Sequence, residues 1–118
     1  MTTSSNIIQP DQLPATIRGY LTAHDDGDVD TALRAFTPSA VVVDNGHTFR
    51  GTEEIRRFLA EAGAEYTYTS TLVSAERTGD AHWVAIKHLE GNFPGGVVDL
   101  RYRFVMDGDS IAELIIAP

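Results

Sequence analysis

The chain has 118 residues, no cysteine, and a formal net charge of −8 at pH 7. This length suits one domain with a substantial core. The absence of cysteine excludes disulfides and thiolate chemistry and is typical of a cytoplasmic protein. The excess of acidic residues would repel a phosphate backbone, so neither nucleic acid nor an anionic membrane surface is an expected partner. No run of about 18 apolar residues predicts a membrane span.

Three helices are predicted in the first half of the chain, after a flexible arm over residues 1–12. In the first helix, apolar and aromatic positions recur at helical spacing through residues 13–24. Gly27 allows a left-handed exit, and a second short helix is predicted over residues 29–36, ended by Pro38. The third helix is expected to bury Ile55, Phe58, Leu59 and Ala62 and to end at Gly63.

Strands dominate the rest of the sequence. A β-branched run ends in Asp44 before an Asn-Gly turn, and from Tyr66 onward the hydrophobic period changes to two. Four strands are predicted there, with the sequences TYTSTLVSAE, HWVAIKHLEG, VVDLRYRFVM and SIAELIIA. Helices followed by an antiparallel sheet predict an α+β fold, in which residues 13–118 form a single domain with one curved, mainly antiparallel sheet on three helices.

The order of these motifs resembles the nuclear transport factor 2-like superfamily, in its ketosteroid isomerase and polyketide cyclase-like branch. The resemblance rests on a Gly-Asp turn, a strand ending in Asp, the segment RGTEEIRRFL and a late Asp-Gly turn, and it spans about residues 13–117. It implies a cone-shaped α+β barrel that binds a small apolar or aromatic ligand without a cofactor. Because this fold has many functions, the resemblance leaves the activity open.

Ketosteroid isomerases offer the sharpest residue match within this resemblance. They have an oxyanion-hole Tyr in the first helix and a general-base Asp at the end of the first strand, and Tyr20 and Asp44 match these positions. The position of the family's late-strand acid is occupied by Leu100, while the adjacent Asp99 is expected on the opposite strand face. The resemblance therefore implies half of an oxyanion hole and little activity on a ketosteroid.

Three side chains are candidate catalytic groups, each with an ordinary structural alternative. Asp44 is either a general base whose pKa is raised in an apolar cone or a turn residue. Tyr20 is either a hydrogen-bond donor to a ligand oxygen or a core phenol bonded to a backbone carbonyl. His24 lies one helical turn further along the same face and is either an acid/base group or a core histidine.

The walls of the cone supply the predicted substrate-binding residues, which are Phe58, Trp83, Leu100 and Tyr102. Trp83 is a wall if its face of the strand is the inner one, and His82 and His88 then point outward. The four histidines lack HxH or HxxxH spacing, and no metal site is expected. No phosphate-binding glycine motif is present, so no nucleotide cofactor is expected either.

The outer face of the sheet predicts a homodimer. Arg101 and Arg103 would lie there beside Val84 and Ile86, which solvent alone would disfavour. Three functions remain open at this point. The first is an isomerase- or cyclase-like enzyme that transfers protons on a small apolar carbonyl compound, the second is a dehydratase using His24, and the third is a non-catalytic ligand-binding or dimerisation module.

Overall fold

The computed structural model describes residues 7–61 and 66–118. Within these ranges the chain forms three α-helices, one short 3-10 turn at Pro10–Gln12 and seven strands. The helices are α1 (Ala15–Asp26), α2 (Val29–Arg34) and α3 (Gly51–Glu61). The strands are β1 (Ile7–Ile8), β2 (Phe36–Asp44), β3 (His47–Arg50), β4 (Tyr68–Arg77), β5 (His82–Gly91), β6 (Val97–Asp107) and β7 (Ser110–Ala117).

The described strands form one curved sheet in the order β1-β4-β5-β6-β7-β2-β3. Every neighbouring pair is antiparallel except β2 and β7, which run parallel. The sheet does not close on itself, because β1 and β3 stand at its two edges. The predicted α+β fold with a mainly antiparallel sheet is confirmed, and the cone is an open one.

The boundaries of α1 follow from its sequence. Pro14 occupies the N-cap, and Gly27 ends the helix in the left-handed conformation with φ of 71°. Asp28 then caps α2 by accepting a hydrogen bond from the backbone N–H of Thr31. The apolar stripe of α1 is buried as predicted. No described helix is long and apolar enough to cross a membrane.

The second helix is shorter than the sequence predicts. It ends at Arg34, and Phe36 begins β2 although its spacing continues the helical stripe. Pro38 does not terminate a helix but lies within β2, where the pairing with β7 is irregular between Phe36 and Val41. A proline is tolerated at such an irregularity because it has no N–H to contribute. The prediction of a helix over residues 29–36 is therefore wrong at its end.

The segment predicted as a flexible arm contains regular structure in its described part. Ile7–Ile8 pairs with Glu76 and Ala75 as an edge strand, and the 3-10 turn follows it. Residues 7–12 are thus held against β4, which corrects the prediction for that stretch. The predicted end of the third helix, at Ala62 and Gly63, lies outside the described residues.

Strand alternation settles which faces of β5 and β6 meet the helices. Ala85, Tyr102 and Phe104 belong to the buried core, while Arg101 and Arg103 are exposed. On the outer face, the Nδ1 atom of His88 lies 2.6 Å from a carboxylate oxygen of Asp99, and its Nε2 atom lies 2.8 Å from Glu90. The predicted orientation of β6 is therefore observed, including the outward position of Asp99, and the face of β5 that was left open is the one with Ala85 on the inside.

Candidate functional site

A cavity of about 280 Å³ opens between the helices and the inner face of the sheet. The lining residues with polar side-chain groups are His24, Asp44, Tyr66, Tyr68 and Tyr102. The remaining lining side chains are Phe58, Leu89, Phe93, Val98, Leu100 and Ile116. The described residues that line it include no Lys or Arg, so the cavity suits a neutral and mostly apolar ligand better than a carboxylate or phosphate.

The register of the sheet determines how far apart Asp44 and Tyr102 lie, at the two ends of the site. Asp44 on β2 pairs with Ile116 on β7, and Ile116 pairs in turn with Tyr102 on β6. Neighbouring strands lie about 4.8 Å apart, so the backbones of Asp44 and Tyr102 are separated by roughly 10 Å. That distance leaves room for a small ligand between the two side chains.

Asp44 has the environment that a general base needs. Its carboxylate is half-buried on the cavity wall and accepts no hydrogen bond from any residue in the described ranges. Burial raises the pKa of the Asp44 carboxyl above its ordinary value, and the nearby His47 opposes this only in part. This is the direction that the sequence predicts. The residue also precedes the tight turn at Asn45 and Gly46, so a place at the turn and a place on the cavity wall are compatible.

Tyr20 and His24 form a pair on α1. The Tyr20 hydroxyl lies 3.2 Å from Nδ1 of His24, and the phenol is only 1% exposed. Burial, reinforced by the positive charge of Lys87, lowers the pKa of His24, so its imidazole is neutral at pH 7. Within the described chain the hydroxyl has no other acceptor, so it donates to Nδ1. The ring proton of His24 is then carried by Nε2.

This pairing changes the role expected for Tyr20. Tyr20 packs edge-on against Phe36 and Phe104 and does not line the cavity, whereas His24 does. The expectation that Tyr20 itself contacts a ligand oxygen is therefore not met. In the structure Tyr20 contacts His24, and His24 is the member of the pair that lines the cavity.

The four predicted wall residues do not all line the cavity. Phe58, Leu100 and Tyr102 line the cavity, but Trp83 does not. Trp83 lies on the inner face of β5, but it is six residues before Leu89 on the same strand, or roughly 20 Å away at the rise of a β-strand. There it lines a separate cavity and lies beneath the guanidinium of Arg77, at 5.0 Å. Its predicted role in substrate binding is corrected accordingly.

Several wall residues escaped the sequence reading. Tyr68 is opposite Gly91, where a Cβ atom would lie 2.5 Å from that of Tyr68, so the glycine allows the backbone of β4 to approach closely at this point. Phe93, in the turn between β5 and β6, stacks edge-on against Tyr66. The alternation YTYTS marks the two tyrosines as one strand face, but only the pairing of β4 with β5 shows that this face is the inner one.

A buried ion pair lies beside the site. Nζ of Lys87 is 2.6 Å from one carboxylate oxygen of Asp25 and 2.5 Å from the other. The lysine side chain is 2% exposed, whereas that of Asp25 is 34% exposed. The described residues contain no group of three His, Asp or Glu side chains that could hold a metal ion.

Solved structures share this fold. A proposed polyketide cyclase from Sinorhizobium meliloti matches with a TM-score of 0.85 at 29% identity, covering 93% of this chain and 100% of that one. A Catenulispora acidiphila protein of ketosteroid isomerase-like fold, solved in complex with trimethylamine, matches with a TM-score of 0.77 at 19% identity, covering 89% and 85%. A cystatin-fold protein from Novosphingobium aromaticivorans matches at 0.72 and 20%, covering 87% and 95%.

Sequence comparison agrees with the structural one. No curated protein matches the chain. The family model of the SnoaL-like domain, however, matches residues 17–113, which include both helix-one residues of the site, Asp44 and most of the sheet. The resemblance predicted from the motifs is confirmed. The chain belongs to the SnoaL-like domain family, within the nuclear transport factor 2-like superfamily.

Proposed function

We propose that the protein is a cofactor-free enzyme of isomerase- or cyclase-like type, which transfers a proton on a small, mostly apolar carbonyl compound. One observation carries the proposal. The carboxylate of Asp44, without a hydrogen-bond partner in the described chain, faces an apolar cavity that also contains the neutral imidazole of His24.

The reaction uses these two groups in sequence. Asp44 removes a proton from the carbon next to the carbonyl, and negative charge builds on the carbonyl oxygen. The Nε2–H of His24 donates a hydrogen bond to that oxygen, and its neutral form avoids handing over a full proton too early. Return of the proton at another carbon completes an isomerisation, whereas attack of the enolate carbon on a second carbonyl of the same molecule closes a ring.

Two features direct the choice among related reactions. Leu100 lines the cavity at the position where ketosteroid isomerases have a second acid, so turnover of a ketosteroid is expected to be small. The name of the Sinorhizobium relative supports the cyclase variant. A dehydratase that needs a protonated His24 is disfavoured because burial lowers the pKa of this residue.

The alternative is a binding module that holds a hydrophobic ligand without turnover. It is favoured by the lining of the cavity, in which Asp44 is the one carboxylate among the residues that the structure describes. In both cases the partner is a small apolar or aromatic molecule. A cytoplasmic location remains a prediction.

An exchange experiment separates the enzyme from the binding module. We expect the protein to accelerate deuterium incorporation next to the carbonyl of small cyclic ketones in heavy water, with a rate that saturates as ketone concentration rises. Proton NMR measures the exchange, and native mass spectrometry of the purified protein detects any ligand carried with it. Saturable binding without exchange across one-ring and two-ring ketones would favour the binding module.

We further propose a homodimer formed through the outer face of the sheet. Val84 and Ile86 lie there between the exposed Arg101 and Arg103 and the outward side chains of β4. Sedimentation at micromolar concentration is expected to give twice the 12.9 kDa chain mass. Reversing both arginines to glutamate should shift the equilibrium to monomer, whereas the same change at Arg56, on α3, should not. A wild-type monomer would contradict the proposal.

A further inference from the structure

We propose that Tyr102 is the second hydrogen-bond donor of the cavity, and that with His24 it forms an oxygen-binding pair selective for neutral aromatic or conjugated ketones. The inference rests on the proposed function, since the bound oxygen is that of the ketone. It assigns to Tyr102 the role that a late-strand acid would have at Leu100, two residues earlier on the same strand face.

The hydroxyl of Tyr102 is buried without a hydrogen-bond partner in the part of the chain that the structure describes. The residue is 4% exposed and lines the cavity, yet its hydroxyl bonds to no residue in ranges 7–61 and 66–118. Buried polar groups nearly always have a partner, since an unpaired one is unfavourable. The contrast with Tyr20 is informative, because that equally buried phenol donates to His24. The cavity is the side from which Tyr102 can gain a partner.

The rings that carry the two donors lie close together. The rings of His24 and Tyr102 have centroids 6.3 Å apart and are nearly perpendicular, at 83°. Burial, together with the carboxylates of Asp25 and Asp44 and the Tyr68 phenol, keeps the pKa of Tyr102 well above its ordinary value, so the hydroxyl retains its proton. A ligand oxygen between the two rings would accept a hydrogen bond from each of them. The adjoining ligand carbon would then face Asp44, which lies on the other side of β7.

The remaining walls define the ligand. Phe58, Tyr68 and Phe93 offer ring surfaces for stacking or edge contacts, which favour flat aromatic or conjugated molecules. The volume of about 280 Å³ lies just below the range of roughly 300–1,000 Å³ that is usual for small-molecule sites. The cavity therefore fits one or two fused rings with a single oxygen.

The test uses 2-naphthol, a two-ring molecule whose hydroxyl represents the enol oxygen, and 2-methylnaphthalene, which has nearly the same shape without the oxygen. Binding is followed by fluorescence titration. We expect Tyr102→Phe to weaken 2-naphthol binding about tenfold or more, since a hydrogen bond is lost while the ring is kept. Binding of 2-methylnaphthalene should change less than about twofold. Thermal melting confirms that the variant is folded.

Each outcome decides the inference. A selective loss for 2-naphthol supports it. Equal losses for both ligands would indicate packing, and no loss, or no binding of 2-naphthol by the wild type, would also overturn it. Deuterium exchange separates this result from the proposed function. Exchange that is unaffected by Tyr102→Phe leaves the function standing without the inference, whereas a selective loss in a protein that never exchanges protons leaves an oxygen-binding pocket without catalysis.

Discussion

Replacing Asp44 by asparagine is expected to lower the rate of α-proton exchange by about a hundred- to ten-thousandfold, the usual contribution of a positioned base. The amide keeps the shape of the carboxyl group but cannot accept the proton. Ligand binding should change far less than the rate, because Asp44 acts on the carbon and not on the bound oxygen. Exchange rates and naphthol affinities measured on both proteins check the two statements together.

The dependence on pH sharpens this prediction. Burial raises the pKa of Asp44 above 3.8, so the wild-type rate should rise with pH through that raised pKa and then level off as the carboxylate becomes fully ionised. Any residual rate of Asp44→Asn should lack this rise. A rate that does not depend on pH between 4 and about 7 would mean that another group removes the proton.

The thermal stability of Asp44→Asn is the control for the expected loss of rate. Because the folded-state pKa of Asp44 is raised, the folded protein binds this proton more tightly than the unfolded chain does. The associated stability is present at low pH and is lost as pH rises through the folded pKa. At pH 7 the ionised carboxylate is thus unfavourable for folding, so Asp44→Asn should melt at the same temperature as the wild type or higher. A lower melting temperature would assign the rate loss to unfolding.

The second large effect is expected at the buried ion pair. Asp25→Asn leaves the ammonium of Lys87 buried without a charged partner, and removal of one partner from a fully buried pair typically costs about 3–5 kcal/mol. Since Asp25 is 34% exposed and water reaches it, we expect a smaller loss, roughly 1–3 kcal/mol in the free energy of unfolding. Urea denaturation at neutral pH measures it.

Lys87→Met is the matched variant. It removes the buried charge and keeps a flexible apolar chain of similar length, while the partly exposed Asp25 can be hydrated. Replacement of a buried charge by an apolar group is often neutral or stabilising, so the change should stay within about 1 kcal/mol. Equal destabilisation by the two variants would show that the packing of both side chains, and not an unpaired charge, determines the effect.

Alternation of side chains predicted most of the sheet. The four strands after Tyr66 agree with the structure to within one residue at nearly every end, because period two specifies both the strand and its buried face. The inward position of Leu100 and the outward position of Asp99 followed from the same rule. Helical spacing was misleading at Phe36. This residue continues the spacing of the apolar stripe of α2, but in the structure it begins β2, which pairs with β7.

The site was harder to predict than the fold, for a geometric reason. Alternation assigns Trp83 and Leu89 to one face but does not say which end of the strand meets the cavity, and Trp83 lies at the other end. The spacing of Tyr20 and His24 predicted that both lie on one face of α1. It did not show that His24, and not Tyr20, lines the cavity. That the hydroxyl of Tyr102 bonds to none of the described residues cannot be inferred from the sequence, because it depends on the three-dimensional positions of residues far apart in the chain.

The parallel pairing of β2 with β7 has a consequence for how the site comes into being. Asp44 is aligned by Ile116, whose carbonyl also accepts the N–H of Asn45 at 3.1 Å, about seventy positions later in the chain. Contacts of such long range form late, because the entropy of closing the intervening loop must first be overcome. Helices α1 and α3 can therefore assemble while the cavity wall still lacks β7, before the Asp44 carboxylate has reached its final position. Only the complete cavity binds ligand. Ligand binding and the docking of β7 are therefore coupled, so that each favours the other.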